Sequence, residues 1–195
     1  STAVSQILQM IKDAGNERLW ESPEEMRADA TVVSDFYFVL KRSQLSFLGE
    51  IYADLCDIEV RLFDFIVTRL RSEFGERDTE WWVNSVPERT RQACATRQEQ
   101  DGLAYPREAY LDLIDLREIL DRNWRLFREP FAKVSRDPNF KKHLMADMLA
   151  LNKIRNKIMH PLRKAILNEE EFELVRSFSK KIHVLTKDQT IRWIG

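Results

Sequence analysis

With 195 residues, 44% of them hydrophobic and 32% charged, the chain is long enough to bury one core of ordinary size. Thirty-one Lys and Arg against 32 Asp and Glu leave a formal net charge of −1, which excludes a protein that coats nucleic acid through its overall charge. No apolar run approaches the roughly 18 residues of a membrane span, and no basic region followed by an apolar stretch marks a secretory signal, so a cytoplasmic protein without membrane contact is expected. The chain opens on Ser1 without an initiator Met, as a processed protein or a piece of a longer one would. Five glycines and six prolines are few, which favours an all-helical fold. Cys56 and Cys94 stand far apart in helical patterns and read as buried thiols rather than a disulfide. His143, His160 and His183 show no ligand spacing, so no metal and no cofactor are expected.

Residues 1–40 read as a short N-terminal appendage. In it "AVSQILQMIKDAG" has the pattern of an amphipathic helix ended by Gly15, and "TVVSDFYFVL" fits a strand or a buried helix. From Ser46 the apolar spacing becomes regular. Leu48, Ile51, Leu55, Ile58, Leu62, Ile66 and Leu70 form one face of a long helix. Trp81-Trp82 fit core or dimer packing, with base stacking as the alternative. Ser85 and Glu88 fit a capping box with Pro87 in the first turn, for a helix that ends at Asp101-Gly102. Pro106 opens the next helix, whose apolar faces are Tyr110, Leu113, Ile114, Leu116, Ile119 and Leu120. Asp112, Asp115 and Glu118 read as its solvated side. Asp137-Pro138 cap a helix that stops at His160, because the residue before a proline disfavours α geometry. Its core stripe is Phe140, Leu144, Met148, Leu151, Ile154 and Ile158. Asn168 and the three glutamates after it start a last helix. The expected architecture is all-α, an antiparallel bundle of about four to five helices.

One stretch stands apart. "LNKIRNKIMHPLRK", Leu151 to Lys164, holds five basic residues and no acid. Asn152, Asn156 and His160 recur every fourth residue. Arg155 lies about 140° around the helix from His160, but a long arginine can swing its guanidinium to the helix end. Residues 136–164 carry eight Lys and Arg against two acids, and residues 46–80 carry four against nine. The plain alternative is a basic helix C-terminus of the kind the macrodipole favours, with His160 as a simple stop.

"RNKIMH" resembles the Arg-x4-6-His motif of the HEPN superfamily (higher eukaryotes and prokaryotes nucleotide-binding domains), with Asn156 as the small polar residue after the arginine. The position agrees, late in the chain with one further helix to follow. "LCDIEVRLFDFI" resembles the first long helix of one HEPN branch, with Glu59 at its acidic position, and "DLREILDRNWRLF" resembles that branch's penultimate helix. The resemblance covers residues 46–188 and implies a homodimeric helical bundle. It also implies a metal-independent endoribonuclease, a toxin or antiviral defence effector that cleaves RNA through its 2′-OH. Arg155, Asn156, His160 and Glu59 would be its catalytic residues. Lys153, Lys157, Arg163 and Lys164 would touch RNA, and an antitoxin or sensor domain is an expected partner. A catalytically silent module that binds RNA, nucleotide or a partner domain is the alternative. Leu162 stands where one subgroup has a tyrosine that accepts a nucleotide, so that regulation is not expected.

Overall fold

The computed structural model describes residues 23–77, 79–159 and 167–187, with side chains from Leu48 onward. Seven α-helices run in order among them. They are α1 (Pro23–Phe74), α2 (Trp81–Ser85), α3 (Glu88–Gln100), α4 (Leu113–Arg122), α5 (Trp124–Ala132), α6 (Phe140–Met159) and α7 (Glu169–Thr186), with a 3-10 turn at Arg107–Tyr110. No strand occurs among the described residues, and the all-helical expectation holds. "TVVSDFYFVL" lies within α1 and is helical. Residues 1–22, and with them the predicted first helix, lie outside the described residues. The chain divides into two compact units, Ser1–Gly49 and Glu50–Gly195.

In the second unit the apolar stripe of α1 is the floor of the core. Ile51, Leu55, Ile58, Leu62, Ile66 and Leu70 are each at most 1% exposed. Phe65 meets Phe127 and Phe131 of α5 at 5.6 and 5.8 Å between ring centres. On α6 the buried stripe is Leu144, Met145, Met148, Leu151 and Ile154. Phe140 and Ile158, expected in the core, are half-buried and pack against it. Met145 and Met148 are core residues, so of the methionines near the end of α6 only Met159, 49% exposed, remains on the surface.

Cross-helix polar contacts fix the directions. Asp147 meets Lys181 at 3.3 Å and Lys157 meets Glu171 at 2.8 Å, so α6 and α7 are antiparallel. Arg117 Nε donates to the Met145 carbonyl and Lys141 pairs with Asp121, which makes α4 antiparallel to α6 as well. Exposed pairs of this sort contribute little energy each. The buried apolar stripes they accompany carry the stability.

Local chemistry sets the helix boundaries, and in three places it departs from expectation. Gly102 (φ +65°) allows a left-handed exit from α3, in which the Leu103 N–H bonds the Gln98 carbonyl and the Gly102 N–H bonds that of Glu99. The predicted Ser85–Glu88 capping box does not form. Pro87 is the N-cap residue of α3, and the buried Ser85 hydroxyl donates to the Trp81 carbonyl. Pro106 opens the short 3-10 turn instead of a long helix, because Asp112 starts α4 afresh in a capping box with Asp115. The segment expected as one penultimate helix is broken at Asn123, whose amide donates to the Ser85 and Ile119 carbonyls. Asn168 caps α7 as expected, in a reciprocal box with Glu171.

Both thiols are free. Cys94 is fully buried, and burial pushes its pKa up to about 12, whereas Cys56 is half-buried. Since the thiolate is the reactive form, alkylation of the folded protein is expected to label Cys56 well before Cys94. Mass-spectrometric peptide mapping after iodoacetamide treatment checks this, and equal labelling rates would contradict it.

Candidate functional site

Arg155 follows the core residue Ile154 on α6, so its side chain leaves the buried stripe and crosses to α1. There its Nε lies 3.1 Å from Glu59 Oε1 and 3.3 Å from Oε2, linking residues 96 apart in sequence. Glu59 is in turn one residue past the core residue Ile58. Two of the four residues that the resemblance assigns to catalysis are therefore in contact.

A third element completes the arrangement. The Leu113 N–H, in the first turn of α4, donates to Glu59 Oε1 at 3.1 Å. That amide is one of the donors a helix start leaves unpaired, and it carries the positive end of the helix dipole. Arg97 of α3 holds this helix start in place. Its Nη1 donates to Asp115 Oδ2 and to the Tyr110 carbonyl, both at 2.6 Å, and its Nη2 lies 3.3 Å from Asp112. Asp115 is only 6% exposed and Glu118 accepts from Thr90. The acids expected as a solvated face are parts of a clasp between α3 and α4.

Glu59 has two opposing influences on its charge. Burial raises its pKa above the ordinary carboxylate range, and nearby Asp112 adds to this; Arg155 and the Leu113 N–H pull it down, and the net shift is upward. The folded protein thus binds this proton more tightly than the unfolded chain does. The sign follows by linkage: the contribution to stability is full below the unfolded pKa and is lost as pH rises through the folded one. Glu59→Gln is expected to flatten that fall in melting temperature above about pH 4. An unchanged pH profile would contradict it.

Tyr52 and Cys56 extend the same face of α1, seven and three residues before Glu59. Tyr52 is 41% exposed, its pKa is raised first by a hydrogen bond with Cys56, and its hydroxyl lies within the fields of Arg155 and Glu59. Tyr52 and Arg97 were missed in the sequence. The 52-56-59 spacing was the available signal for the first.

Of the remaining expected residues, Asn156 and Lys153 are exposed on α6. Lys157 donates to both oxygens of Glu171 at 3.0 and 2.8 Å. Burial works against the Glu171 charge, but Lys157 and the Asn168 N–H outweigh it and lower its pKa. His160, Arg163 and Lys164 lie outside the described residues. The basic excess of residues 136–164 is partly neutralised across helices, since Lys141, Arg155 and Lys157 each meet an acid. Trp81 and Trp82 are at most 2% exposed, so they are core residues and present no face for a base.

One further constellation has the composition of a catalytic triad without its chemistry. His183 Nδ1 lies 3.5 Å from Ser179 Oγ, and its Nε2 lies 3.5 Å from Asp57. Nδ1 is closer, at 3.0 Å, to the Ser179 carbonyl one turn back. A ring nitrogen that donates there cannot accept the serine proton. Among the described residues no group of three or more His, Cys, Asp or Glu side chains could hold a metal, and no helix is long and apolar enough to cross a membrane. The chain matches no protein-family model, no curated protein sequence and no solved structure.

Proposed function

We propose that the chain is a metal-independent endoribonuclease of the HEPN type, working in the cytoplasm as a toxin or antiviral defence effector. The observation that supports this most is the Glu59–Arg155 contact, which joins two residues that the resemblance assigns to one site. Both contacts to Glu59 run through Arg155 Nε. Holding a guanidinium by Nε fixes its plane and leaves the two terminal NH2 groups to grip a phosphate.

RNA supplies its own nucleophile. The 2′-oxygen bonds to phosphorus, the bond from phosphorus to the 5′-oxygen breaks, the 2′ proton passes to a base and the 5′-oxygen takes up a proton. Histidine serves either transfer near neutral pH, and His160 follows directly on Met159, the last described residue of α6. Arg155 offsets the charge that builds on the phosphate oxygens, Glu59 orients it, and Asn156 sits beside it as a polar contact. Exposed Lys153, with Lys157, Arg163 and Lys164, would meet neighbouring phosphates. A two-fold homodimer would bring two such helix ends to one cleft and provide both base and acid, with exposed Met159 near the seam. An antitoxin or sensor protein is the proposed partner.

One observation favours the alternative of a silent module that binds RNA, nucleotide or a partner domain. Lys157 and Arg155 both sit in ion pairs of the sort that merely tie helices together. The two readings separate in one assay. Purified protein, given single-stranded RNA in EDTA, should leave 2′,3′-cyclic phosphate and 5′-hydroxyl ends, and the 2′-deoxy form of the same sequence should stay intact. Products with 3′-hydroxyl ends, or no cleavage, would overturn the proposal.

A further inference from the structure

Where α4 and α6 pack side by side, a groove of about 570 Å³ opens on the surface. It follows the first half of α6, away from Arg155 near that helix's other end. Its apolar lining includes Met145, Ala146 and Leu149. Met145 belongs to the core, whereas Ala146 is exposed and Leu149 is 40% exposed. A lone exposed leucine needs no explanation. This one prolongs an apolar strip that begins at the core, and from Lys142 to Leu149 the strip runs about 10 Å along the helix.

The charges beside the strip are unequally paired. Asp121 is the acid of the lining, and Lys141 takes it up at 2.6 Å. Arg117 and Lys142 remain. The Arg117 Nε donates to the Met145 carbonyl at 2.9 Å, so that nitrogen is occupied. Its two terminal NH2 groups meet no partner among the described residues, and they are not sealed from solvent. With Nε tied to the backbone of α6, the plane of the guanidinium is fixed beside the strip. Lys142 is exposed and meets no acid among the described residues.

We propose that this groove docks a short amphipathic helix of another protein, apolar on one face and acidic along the edges of that face. Apolar side chains one turn apart cover Ala146 and Leu149. One carboxylate meets the terminal NH2 groups of Arg117 at two points, and another meets Lys142. Charge complementarity and shape select this occupant. Two unpaired cations are few for a nucleic-acid surface, whose affinity comes from many phosphate contacts, and the apolar strip offers phosphates nothing. A small molecule lying between exposed residues would stay largely in water, whereas small-ligand sites enclose most of their ligand. A helix laid along the strip buries it as helices bury one another. The inference is independent of the ribonuclease reading, because none of these residues belongs to the Glu59–Arg155 site.

The probe is a phage-displayed library of amphipathic helices with randomised polar positions, selected on the immobilised full chain and resynthesised as free peptides. The selected helices should carry Asp or Glu beside the apolar stripe, and sodium chloride should weaken their binding. On the chain labelled with 13C-methyl methionine they should move the Met145 methyl signal, which Met145→Leu identifies by its loss. Calorimetry should show binding at least about tenfold weaker for Leu149→Glu and for Lys142→Glu. Both change exposed residues, so their melting curves should stay parental. The proposal is overturned if no helix is enriched, if the enriched helices lack acids, or if they bind both variants as they bind the parent. A single-stranded oligodeoxynucleotide that moves the Met145 signal where no peptide does assigns the groove to nucleic acid and overturns it equally.

Discussion

Arg155→Ala is expected to lower RNA cleavage by at least about 100-fold, the scale on which loss of one pre-positioned donor to transition-state charge is felt. It should also cost about 1–3 kcal/mol of stability, because Glu59, 21% exposed, loses its guanidinium partner. A surface arginine would cost within about 0.5 kcal/mol. The two effects separate if Glu59→Gln accompanies Arg155→Ala. Removing the uncompensated charge should restore part of the stability while activity stays lost. Cleavage rates and denaturant midpoints on the two single variants and the double variant check this. An Arg155→Ala protein that cleaves like the parent removes Arg155 from the chemistry.

Leu151→Ala should do the reverse. Leu151 is fully buried in the α6 stripe beside Met148 and Ile154, and truncation there leaves a cavity costing roughly 2–5 kcal/mol. For a chain of this size that corresponds to about 2–4 °C in melting temperature for each kcal/mol. The protein that remains folded should cleave at close to the parental rate per molecule. Ile158→Ala, by contrast, should cost less, since Ile158 is only half-buried. Calorimetric melting of both variants ranks them, and equal losses would contradict the burial pattern on which the helix register rests.

The regular parts of the fold were legible because one signal dominated each of them. The three-and-four spacing from Ile51 to Leu70 and from Leu144 to Ile154 has no competing punctuation, and each stripe is buried. Asn168 with Glu171 is a local device, complete within four residues, and it forms. The region from Ser85 to Phe131 was harder because polar side chains there choose among several local partners. Ser85 bonds back to Trp81 rather than forward to α3. Asp112 and Asn123 interrupt what periodicity alone joins. Buried Asp115 looked solvated because its partner, Arg97, lies on another helix with no apolar pattern to mark its direction.

The candidate site was legible in a different manner. No spacing rule relates Glu59 to Arg155 across 96 residues; only the likeness of two short segments to one family placed them in the same site. Tyr52 and the Leu113 N–H could not be reached by that route. The first is one aromatic among the many in the sequence, and the second is a backbone group whose position depends on where α4 begins.

The most direct test of the central claim is the cleavage rate of Arg155→Lys on single-stranded RNA in EDTA, measured beside its RNA affinity. Lysine keeps the positive charge and can still meet Glu59, but it lacks the planar fork that holds a phosphate at two points. If Glu59 aims the arginine at the scissile phosphate, the variant should bind RNA within a few-fold of the parent and cleave it at least about 100-fold more slowly. A variant that cleaves as fast as the parent would show that Arg155 is a structural charge and that the contact with Glu59 merely ties α6 to α1.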